Sequence, residues 1–340
     1  MLTRRTMLVA STALAVIGCS GRGADDAAAG AKSDFLEVLD PAFFDLVARD
    51  VQLEQLGDGY QWSEGPAWDT KRSQLYFTDV PGNVAYVWKE GEGVKTFLDP
   101  SGVGSDNAAG FREAGANGLL IGRNGKLLVC NHGRRAVEEL DIDSGERTVL
   151  VDRFEGKAFN SPNDIIEKSD GTLFFTDPPY GLEGLNESPL KEMAVNGVYR
   201  RDPDGTVARI VDDMTFPNGA ALSPDERYLY VAQSDPDAPL VERFDLNGDM
   251  KGEVWFDVAP YTKGTPGLPD GMAVATSGHM FLAGPGGVLL VDPSGKCLGR
   301  IGTGSATANC TFGGDGSTLF ITAQDRLLRI STKATGVGAF

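Results

Sequence analysis

Six short polar motifs recur along the chain, and the side chains at their centres are oxygen donors. In each motif an acidic or amide residue is followed by a small or turn residue, and an apolar run begins 10 or 11 residues after the polar one. Carboxylate and amide oxygens, without sulfur or imidazole, are the ligands that a hard divalent cation prefers. Turn chemistry explains Asn or Asp at such a position but does not call for Glu. The six polar residues are Glu64, Asn117, Asn163, Asn218, Asp270 and Asn309.

The segments around these residues predict β-strands in antiparallel groups. Asn218 lies between Pro217 and Gly219, which predict a constrained corner, and Tyr228–Ala232 is predicted as the strand that follows. Turn-rich strings such as 201–206 come later in each repeat, and each is followed by another short apolar run. Every repeat therefore predicts four antiparallel strands.

The spacing of the motifs predicts the architecture. Successive polar residues are 53, 46, 55, 52 and 39 positions apart, which is typical of the four-stranded blades of a β-propeller. We therefore predict that residues 35–340 form an all-β, six-bladed β-propeller. A pair of β-sandwiches is the alternative, and the regular spacing disfavours it.

The ends of the propeller region predict how the ring closes. The sixth repeat lacks a good fourth strand, whereas the apolar run 51–56 precedes the first repeat. We predict that 51–56 completes the last blade and so protects its sheet edge. Residues 40–48 are predicted to form a short helix outside the ring, with Asp40 as the N-cap and Pro41 at the first helical position.

Equivalent positions of a propeller form a ring around its axis, so the six polar residues should converge at one mouth of the central channel. Glu64 and Asp270 would supply two negative charges to a divalent ion, and Asn163 and Asn218 would add neutral oxygens. Ca²⁺ is the preferred ion, and Mg²⁺, Mn²⁺, Zn²⁺ or Fe²⁺ are the alternatives. A ring of hydrogen-bonded turn residues without metal is the competing interpretation.

Four stretches resemble the senescence marker protein/regucalcin/gluconolactonase (LRE-like) family, and they occur in the family's order. They read WSEGPAWD, SPNDI with GTLFFTDPPYGL, FPNGAALSPDERYLYVA, and PDGMAVATSGHMFLA. The resemblance implies a six-bladed propeller that binds a divalent metal through Glu64, Asn163, Asn218 and Asp270 and hydrolyses sugar lactones. Related paraoxonases and fluorophosphatases leave an organophosphate or fluorophosphate hydrolase as an alternative. A non-catalytic calcium-binding propeller is the alternative outside the enzymes.

Lactone opening needs a carbonyl polariser and an activated water, which a bound cation and a nearby base together supply. Asp270 is the first candidate for the base, because a ligand carboxylate retains one free oxygen. His132, at the end of a predicted strand, is the second candidate, and a buried packing role is its alternative. The predicted substrate contacts are Asn117, Arg134, Asp177 and Tyr180.

The N-terminal residues predict export. Residues 1–19 contain the twin arginine Arg4–Arg5, an apolar run and a lipobox-like ending at Cys19, and residues 20–34 read as a flexible linker. We expect a periplasmic protein or a membrane-anchored lipoprotein that meets the membrane only through a lipid on Cys19. A net charge of −17 makes nucleic acid an unsuitable partner. The sequence leaves open whether the protein is a monomer or a dimer, and whether Cys297 and Cys310 pair.

Overall fold

Antiparallel β-strands form nearly all of the regular secondary structure in the computed structural model, which describes residues 34–338. Apart from one two-stranded hairpin, they associate into six sheets, called blades 1 to 6 in chain order of their innermost strands. From the inside outwards, blade 1 contains Ser63–Asp69, Gln74–Asp79, Val84–Lys89 and Gly93–Leu98, and blade 2 contains Ala116–Ile121, Leu127–Asn131, Ala136–Leu140 and Arg147–Val151. In the same order, blade 3 contains Ile165–Glu167, Leu173–Asp177, Gly197–Arg201 and Val207–Val211, and blade 4 contains Pro217–Leu222, Tyr228–Gln233, Leu240–Asp245 and Glu253–Asp257. Blade 5 contains Met272–Val274, Met280–Gly284, Gly287–Val291, Cys297–Gly302 and Leu36–Val38, and blade 6 contains Asn309–Gly313, Thr318–Ala323, Arg326–Ser331 and Leu53–Asp58.

The blades close into a ring. The innermost strand of each blade contacts the innermost strand of the next, and that of blade 6 contacts that of blade 1. The predicted all-β, six-bladed propeller is confirmed.

An N-terminal strand completes blade 6, as the sequence predicts. Leu53–Asp58 pairs antiparallel with Arg326–Ser331, with Leu53 opposite Ile330 and Asp58 opposite Arg326. A second N-terminal strand, Leu36–Val38, adds a fifth strand to blade 5 by pairing with the end of Cys297–Gly302. This strand was not predictable from the sequence, because three residues are too few to show an alternating pattern.

The predicted outer helix is shorter than expected. The helix spans only Phe43–Leu46 and its N-cap is Ala42, so the predictions of Asp40 as the N-cap and Pro41 as the first helical residue are wrong. Asp40 Oδ1 instead accepts the backbone N–H of Ala42 at 2.8 Å, which forms a turn ahead of the helix. Phe43 and Leu46 are buried against blades 5 and 6, so tertiary packing rather than helix propensity holds this single turn.

The hydrophobic core lies between neighbouring blades. Phe77 and Trp88 of blade 1 pack against Phe320 of blade 6, with the Trp88 and Phe320 ring centroids 5.4 Å apart. Burying one such side chain contributes about 1.5–3 kcal/mol, and six inter-blade layers of this kind hold the ring together.

The remaining elements are small. A hairpin joins Arg153–Phe154 to Lys157–Ala158, a second helix spans Ala259–Thr262, and single 3₁₀ turns occur at Ser105–Asn107 and Leu185–Glu187. No helix within residues 34–338 has the length and apolarity needed to cross a bilayer.

Cys297 and Cys310 are buried free thiols, as is Cys130. The predicted export signal, lipobox and residues 20–33 of the linker lie outside the described residues.

Candidate active site

The predicted polar positions lie where the innermost strands begin, and several of these strand starts are irregular. The register between the first two strands shifts between Glu64 and Ala67 in blade 1 and between Pro217 and Ala220 in blade 4. Such β-bulges re-aim side chains and are frequent beside functional sites. Asn218 therefore lies in a bulge within a strand and not in the loop corner that the sequence predicts.

Glycines beside these positions allow neighbouring blades to touch. A Cβ atom on Gly65 would lie 2.1 Å from the carbonyl oxygen of Asn117, and one on Gly219 would lie 2.2 Å from that of Asp270. Only a residue without a side chain fits such an approach. The glycine after the polar residue thus brings the functional side chains of adjacent blades close together.

A cavity of about 640 Å³ lies where these strands begin. Five of the six polar positions line it, and the structure therefore brings together residues that are far apart in sequence. The sixth, Asn309, is buried, and its Nδ2 donates to Glu64 Oε2 at 3.4 Å. The five are Glu64, Asn117, Asn163, Asn218 and Asp270.

Glu64 and Asp270 face this cavity as a pair of uncompensated carboxylates. Burial raises the pKa of Glu64 to about 7, and the negative charge of Asp164 adds to the rise. Burial, the charge of Glu64 and then that of Asp164 raise the pKa of Asp270 well above its ordinary range. Neither carboxylate forms an ion pair with a lysine, arginine or histidine among the described residues. Two negative groups in this setting favour a cation between them.

The amide of Asn218 is oriented by its neighbours. Its Nδ2 donates to Ser234 Oγ at 2.9 Å, and Ser234 Oγ donates to the carbonyl oxygen of Pro269, the residue before Asp270. Because Nδ2 is engaged, Oδ1 is the atom of this amide that is left for a cation. Ser234, which also lines the cavity, was not identified from the sequence.

The donor set fits a hard cation. In the described part of the chain, no three His, Cys, Asp or Glu side chains form a group that could hold a metal ion. A cation site here therefore has to combine the two carboxylates with the amide oxygens of Asn163 and Asn218. Such an all-oxygen set suits Ca²⁺ better than Zn²⁺, which prefers nitrogen and sulfur.

Asp164 is a buried carboxylate that the sequence analysis missed. Its Oδ1 accepts the backbone N–H of Ile165 at 2.9 Å, and its Oδ2 accepts that of Ala220 in blade 4 at 3.0 Å. Burial raises its pKa to about 6. Asp164 thus joins blades 3 and 4 and adds negative charge near the carboxylate pair. Its position directly after Asn163, where four of the other five repeats have glycine, was the available signal.

His132 is fully buried and does not line the cavity. Its Nε2 lies 3.2 Å from Asn117 Nδ2, and its Nδ1 lies 3.7 Å from Glu113 Oε2. Burial, with a smaller contribution from the positive charge of Arg112, lowers the pKa of His132 to about 3. Asn117 and Glu113 both line the cavity, so the imidazole lies behind the wall that they form.

Asp177 also lies away from the cavity, and it holds the backbone that leads to Asn163. Its two carboxylate oxygens accept the N–H groups of Asn160 at 2.8 Å and Ser161 at 2.9 Å. Asp79 does the same in blade 1, where it accepts the N–H groups of Gln61 at 2.9 Å and Trp62 at 3.1 Å. In both blades the bonded residues are two and three positions ahead of the polar residue. The repeated Thr-Asp ending of the second strand was the sequence signal for this role.

The other two predicted substrate contacts differ in position. Tyr180 lines the cavity, and its ring stacks on Phe216 with centroids 5.8 Å apart. Arg134 does not line the cavity, and its guanidinium lies 3.5 Å from the carboxylate of Glu138.

Sequence reasoning overlooked Trp62, Arg112 and Glu113, which all line the cavity. The Trp62 indole forms a hydrogen bond with Glu64 that lowers the pKa of this carboxylate. Arg112 Nε donates to Glu113 Oε1 at 3.0 Å. Trp62 lies within the motif that carries Glu64, whereas Arg112 and Glu113 lie in a loop between blades that has no repeat signal.

A second cavity, of about 580 Å³, lies beside the closing strand and between Gln52 and Lys333. Arg329 in its wall is paired with Glu54 and Glu90. None of the predicted site residues lines this second cavity.

Comparisons with known proteins identify the family of the chain. The family model described as SMP-30/Gluconolactonase/LRE-like region matches residues 62–325. A gluconolactonase of Zymomonas mobilis is 40% identical over 97% of this chain and 95% of its own length. A pentonolactonase of Haloferax volcanii is 27% identical over 76% of this chain and 80% of its own length. A solved gluconolactonase from Xanthomonas campestris superposes with a TM-score of 0.76 at 33% identity, covering 88% of this chain and 95% of that one. The family match covers most of the chain and includes every residue of the cavity wall except Gln61, and the chain therefore belongs to the SMP-30/gluconolactonase/LRE-like family.

Proposed function

We propose that the protein is a gluconolactonase-like hydrolase that opens sugar lactones, and that the cavity at Glu64 and Asp270 is its active site. The observation that carries the proposal is the pair of buried carboxylates without a cationic partner among the described residues, set among amide oxygens in one cavity. The identity of 40% to a gluconolactonase over 97% of the chain supports the same reaction.

Glu64, Asn163, Asn218 and Asp270 would hold a divalent cation, for which Ca²⁺ is the best match to the oxygen ligands. When bound, such a cation polarises an ester carbonyl and lowers the pKa of water. The mutual repulsion of Glu64 and Asp270 would be relieved by this charge, so metal binding should also stabilise the fold.

The chain's own groups supply the remaining steps. Asp270 is the proposed general base, because a carboxylate that binds a cation through one oxygen retains a second oxygen that can take a proton from the attacking water. The water oxygen bonds to the carbonyl carbon, the ring C–O bond breaks, and the ring oxygen gains a proton to become the hydroxyl of the hydroxy acid. Asn117 and Tyr180 line the cavity and are placed to contact the substrate's hydroxyl groups.

The test is acid release from glucono-δ-lactone and xylonolactone, followed with a pH indicator and corrected for spontaneous hydrolysis. We expect activity with added Ca²⁺, loss of activity in EDTA, and recovery when a divalent metal is returned. Glu64→Gln should lower the activity strongly, whereas Asp141→Asn, in an exposed turn of blade 2, should leave it unchanged. Acid release that EDTA does not alter would refute the metal-dependent proposal.

Two further results would redirect the assignment. Hydrolysis of a fluorophosphate ester but of no lactone would favour the organophosphate hydrolase. Tight Ca²⁺ binding without turnover of either substrate would favour a calcium-binding propeller.

We also propose that the protein is exported and carries a lipid on Cys19. The support is the twin arginine, the apolar run and the lipobox-like ending of residues 1–19. Mass spectrometry of the mature N-terminus tests this proposal. We expect the wild-type protein to partition into membranes and the Cys19→Ala variant to remain outside them. A mature N-terminus that is unmodified and is not Cys19 would contradict the proposal.

A further inference from the structure

We propose that His132 is a positioning residue that turns the side-chain amide oxygen Oδ1 of Asn117 towards the cavity, with Glu113 fixing the tautomer of the imidazole. Asn117 Oδ1 is then an acceptor for a hydroxyl group of the substrate, so this trio selects hydroxylated lactones over deoxygenated ones. The inference rests on the proposed function, because it takes the cavity as the lactone site.

The imidazole is enclosed, with a polar side chain near each of its two nitrogens. His132 has no measurable solvent exposure, and a Cβ atom on Gly181 would lie 2.7 Å from the His132 Cβ atom, so the loop at Gly181 covers it closely. Nε2 lies 3.2 Å from Asn117 Nδ2. Nδ1 has no hydrogen bond among the described residues, and Glu113 Oε2 lies 3.7 Å from it.

These contacts determine where the imidazole proton lies. A neutral imidazole has one N–H donor and one acceptor nitrogen, and the low pKa of His132 keeps it neutral. Asn117 Nδ2 can only donate, so Nε2 must accept and Nδ1 must carry the proton. The Nδ1–H group then faces the Glu113 carboxylate, whose other oxygen accepts from Arg112 Nε at 3.0 Å.

The opposite orientation of the amide is disfavoured. If Asn117 Oδ1 faced His132, Nε2 would have to carry the proton and Nδ1 would be a bare acceptor. That acceptor would face the Glu113 carboxylate, which is also an acceptor, inside a buried space. Unpaired acceptors in such a place are costly, so Glu113 and His132 together select one orientation of the Asn117 amide.

The direct test is nuclear magnetic resonance of protein labelled with ¹⁵N-histidine. The chain has two histidines, His132 and His279, so the spectrum contains two imidazoles, and the His279→Gln variant identifies the signals of His132. We expect the neutral tautomer with the proton on Nδ1, unchanged between about pH 6 and pH 8. A proton on Nε2, or a charged imidazole in this range, would overturn the inference.

Kinetics separates positioning from proton transfer. His132→Leu removes the acceptor for Asn117 Nδ2, whereas His132→Gln can retain one through its amide oxygen. For a hydroxylated sugar lactone we expect His132→Leu to raise KM by about 3- to 10-fold with little change in kcat, as the loss of one hydrogen bond predicts. His132→Gln should recover most of this loss, and the KM for unsubstituted δ-valerolactone should be the same in all three proteins.

A general base would behave differently. If His132 took the proton from water, both variants would lower kcat by about 10²- to 10⁴-fold on every lactone and would remove the acidic limb of the pH profile. That result would overturn the positioning role. Thermal melts of the variants distinguish either outcome from misfolding. If the wild-type protein hydrolyses no lactone, the proposed function fails, but the tautomer measurement still decides the arrangement of His132, Asn117 and Glu113.

Discussion

Replacing Asp79 by Asn tests whether the carboxylates at the ends of the second strands hold the site in shape. Asp79 is buried, and its oxygens accept three backbone N–H groups, those of Gln61 at 2.9 Å, Trp62 at 3.1 Å and Gly82 at 3.2 Å. Gln61 and Trp62 lead directly to Glu64. The corner that aims Glu64 at the cavity therefore depends on one carboxylate.

The expected cost follows from this geometry. An Asn side chain can still accept the Trp62 and Gly82 N–H groups through its one oxygen, but its NH₂ group then faces the Gln61 N–H group. Losing one hydrogen bond to a charged acceptor costs about 1.5–3 kcal/mol, and weakening the other two adds about 0.5 kcal/mol each. The total is about 2.5–4 kcal/mol, which in a chain of this size lowers the melting temperature by about 4–6 °C.

Calorimetric melts of the metal-free protein measure this change, and Ca²⁺ titration measures its effect on the site. Asp141→Asn is the matched control, because Asp141 accepts two backbone N–H groups, of Asp143 and Ser144, in an exposed turn where water can replace them. We expect the control to melt within about 1 °C of the wild type. If Asp79→Asn also melts within that range and binds Ca²⁺ like the wild type, the Asp79 carboxylate does not hold the backbone ahead of Glu64 in the way described.

Three other predictions concern the carboxylate pair and the ring around it. In metal-free protein the unfolding free energy should fall as pH rises from about 4.5 to 7, because folded Glu64 keeps its proton up to about pH 7 whereas unfolded Glu64 loses it near its ordinary value. Melts in EDTA across this range should show the decline. Glu64→Gln should make it shallower and leave the part due to Asp270 and Asp164, whose pKa values are also raised, and saturating Ca²⁺ in place of EDTA should make it shallower as well; equal slopes in all samples would contradict the assignment. Asn218→Ala should weaken Ca²⁺ binding by about tenfold or more in calorimetric titration, with a smaller loss of metal-free stability, since it removes an oxygen ligand from a formed cavity; unchanged affinity would exclude Asn218 as a ligand. Gly219→Ala should destabilise the protein by about 3 kcal/mol or more in urea unfolding, because its Cβ would lie 2.2 Å from the carbonyl oxygen of Asp270; wild-type stability would mean that blades 4 and 5 are not in such close contact.

Much of the fold was open to prediction from the sequence because its signals are local and repeated. A polar residue followed by turn residues and an apolar run recurs through the chain, and the orphan run before the first repeat predicts the closing strand. The strand Leu36–Val38 and the length of the helix at Phe43 were not predictable in this way. Both depend on packing against blades 5 and 6, which no local pattern encodes.

The candidate site was also predictable only in part from the sequence. Convergence of five polar residues on one cavity follows from the repeat itself, since equivalent positions of a ring must face the same axis. The roles proposed for Asp177 and His132 do not follow from the repeat. Both residues end second strands or follow them closely, and the sequence shows that they are near the mouth but not which way they face.

By itself, the sequence determined the number of blades, the strand that closes the ring and the oxygen donors at its mouth, because turn chemistry and alternating apolar residues act over a few positions. Only the tertiary structure decided which of the polar side chains meet and in what charge state. Glu64 and Asp270 acquire raised pKa values because the closed ring buries them together, more than 200 residues apart in the chain. His132 lies behind Asn117 and Glu113 for the same reason: distance and burial in a closed ring are properties of the packed blades and not of any single segment.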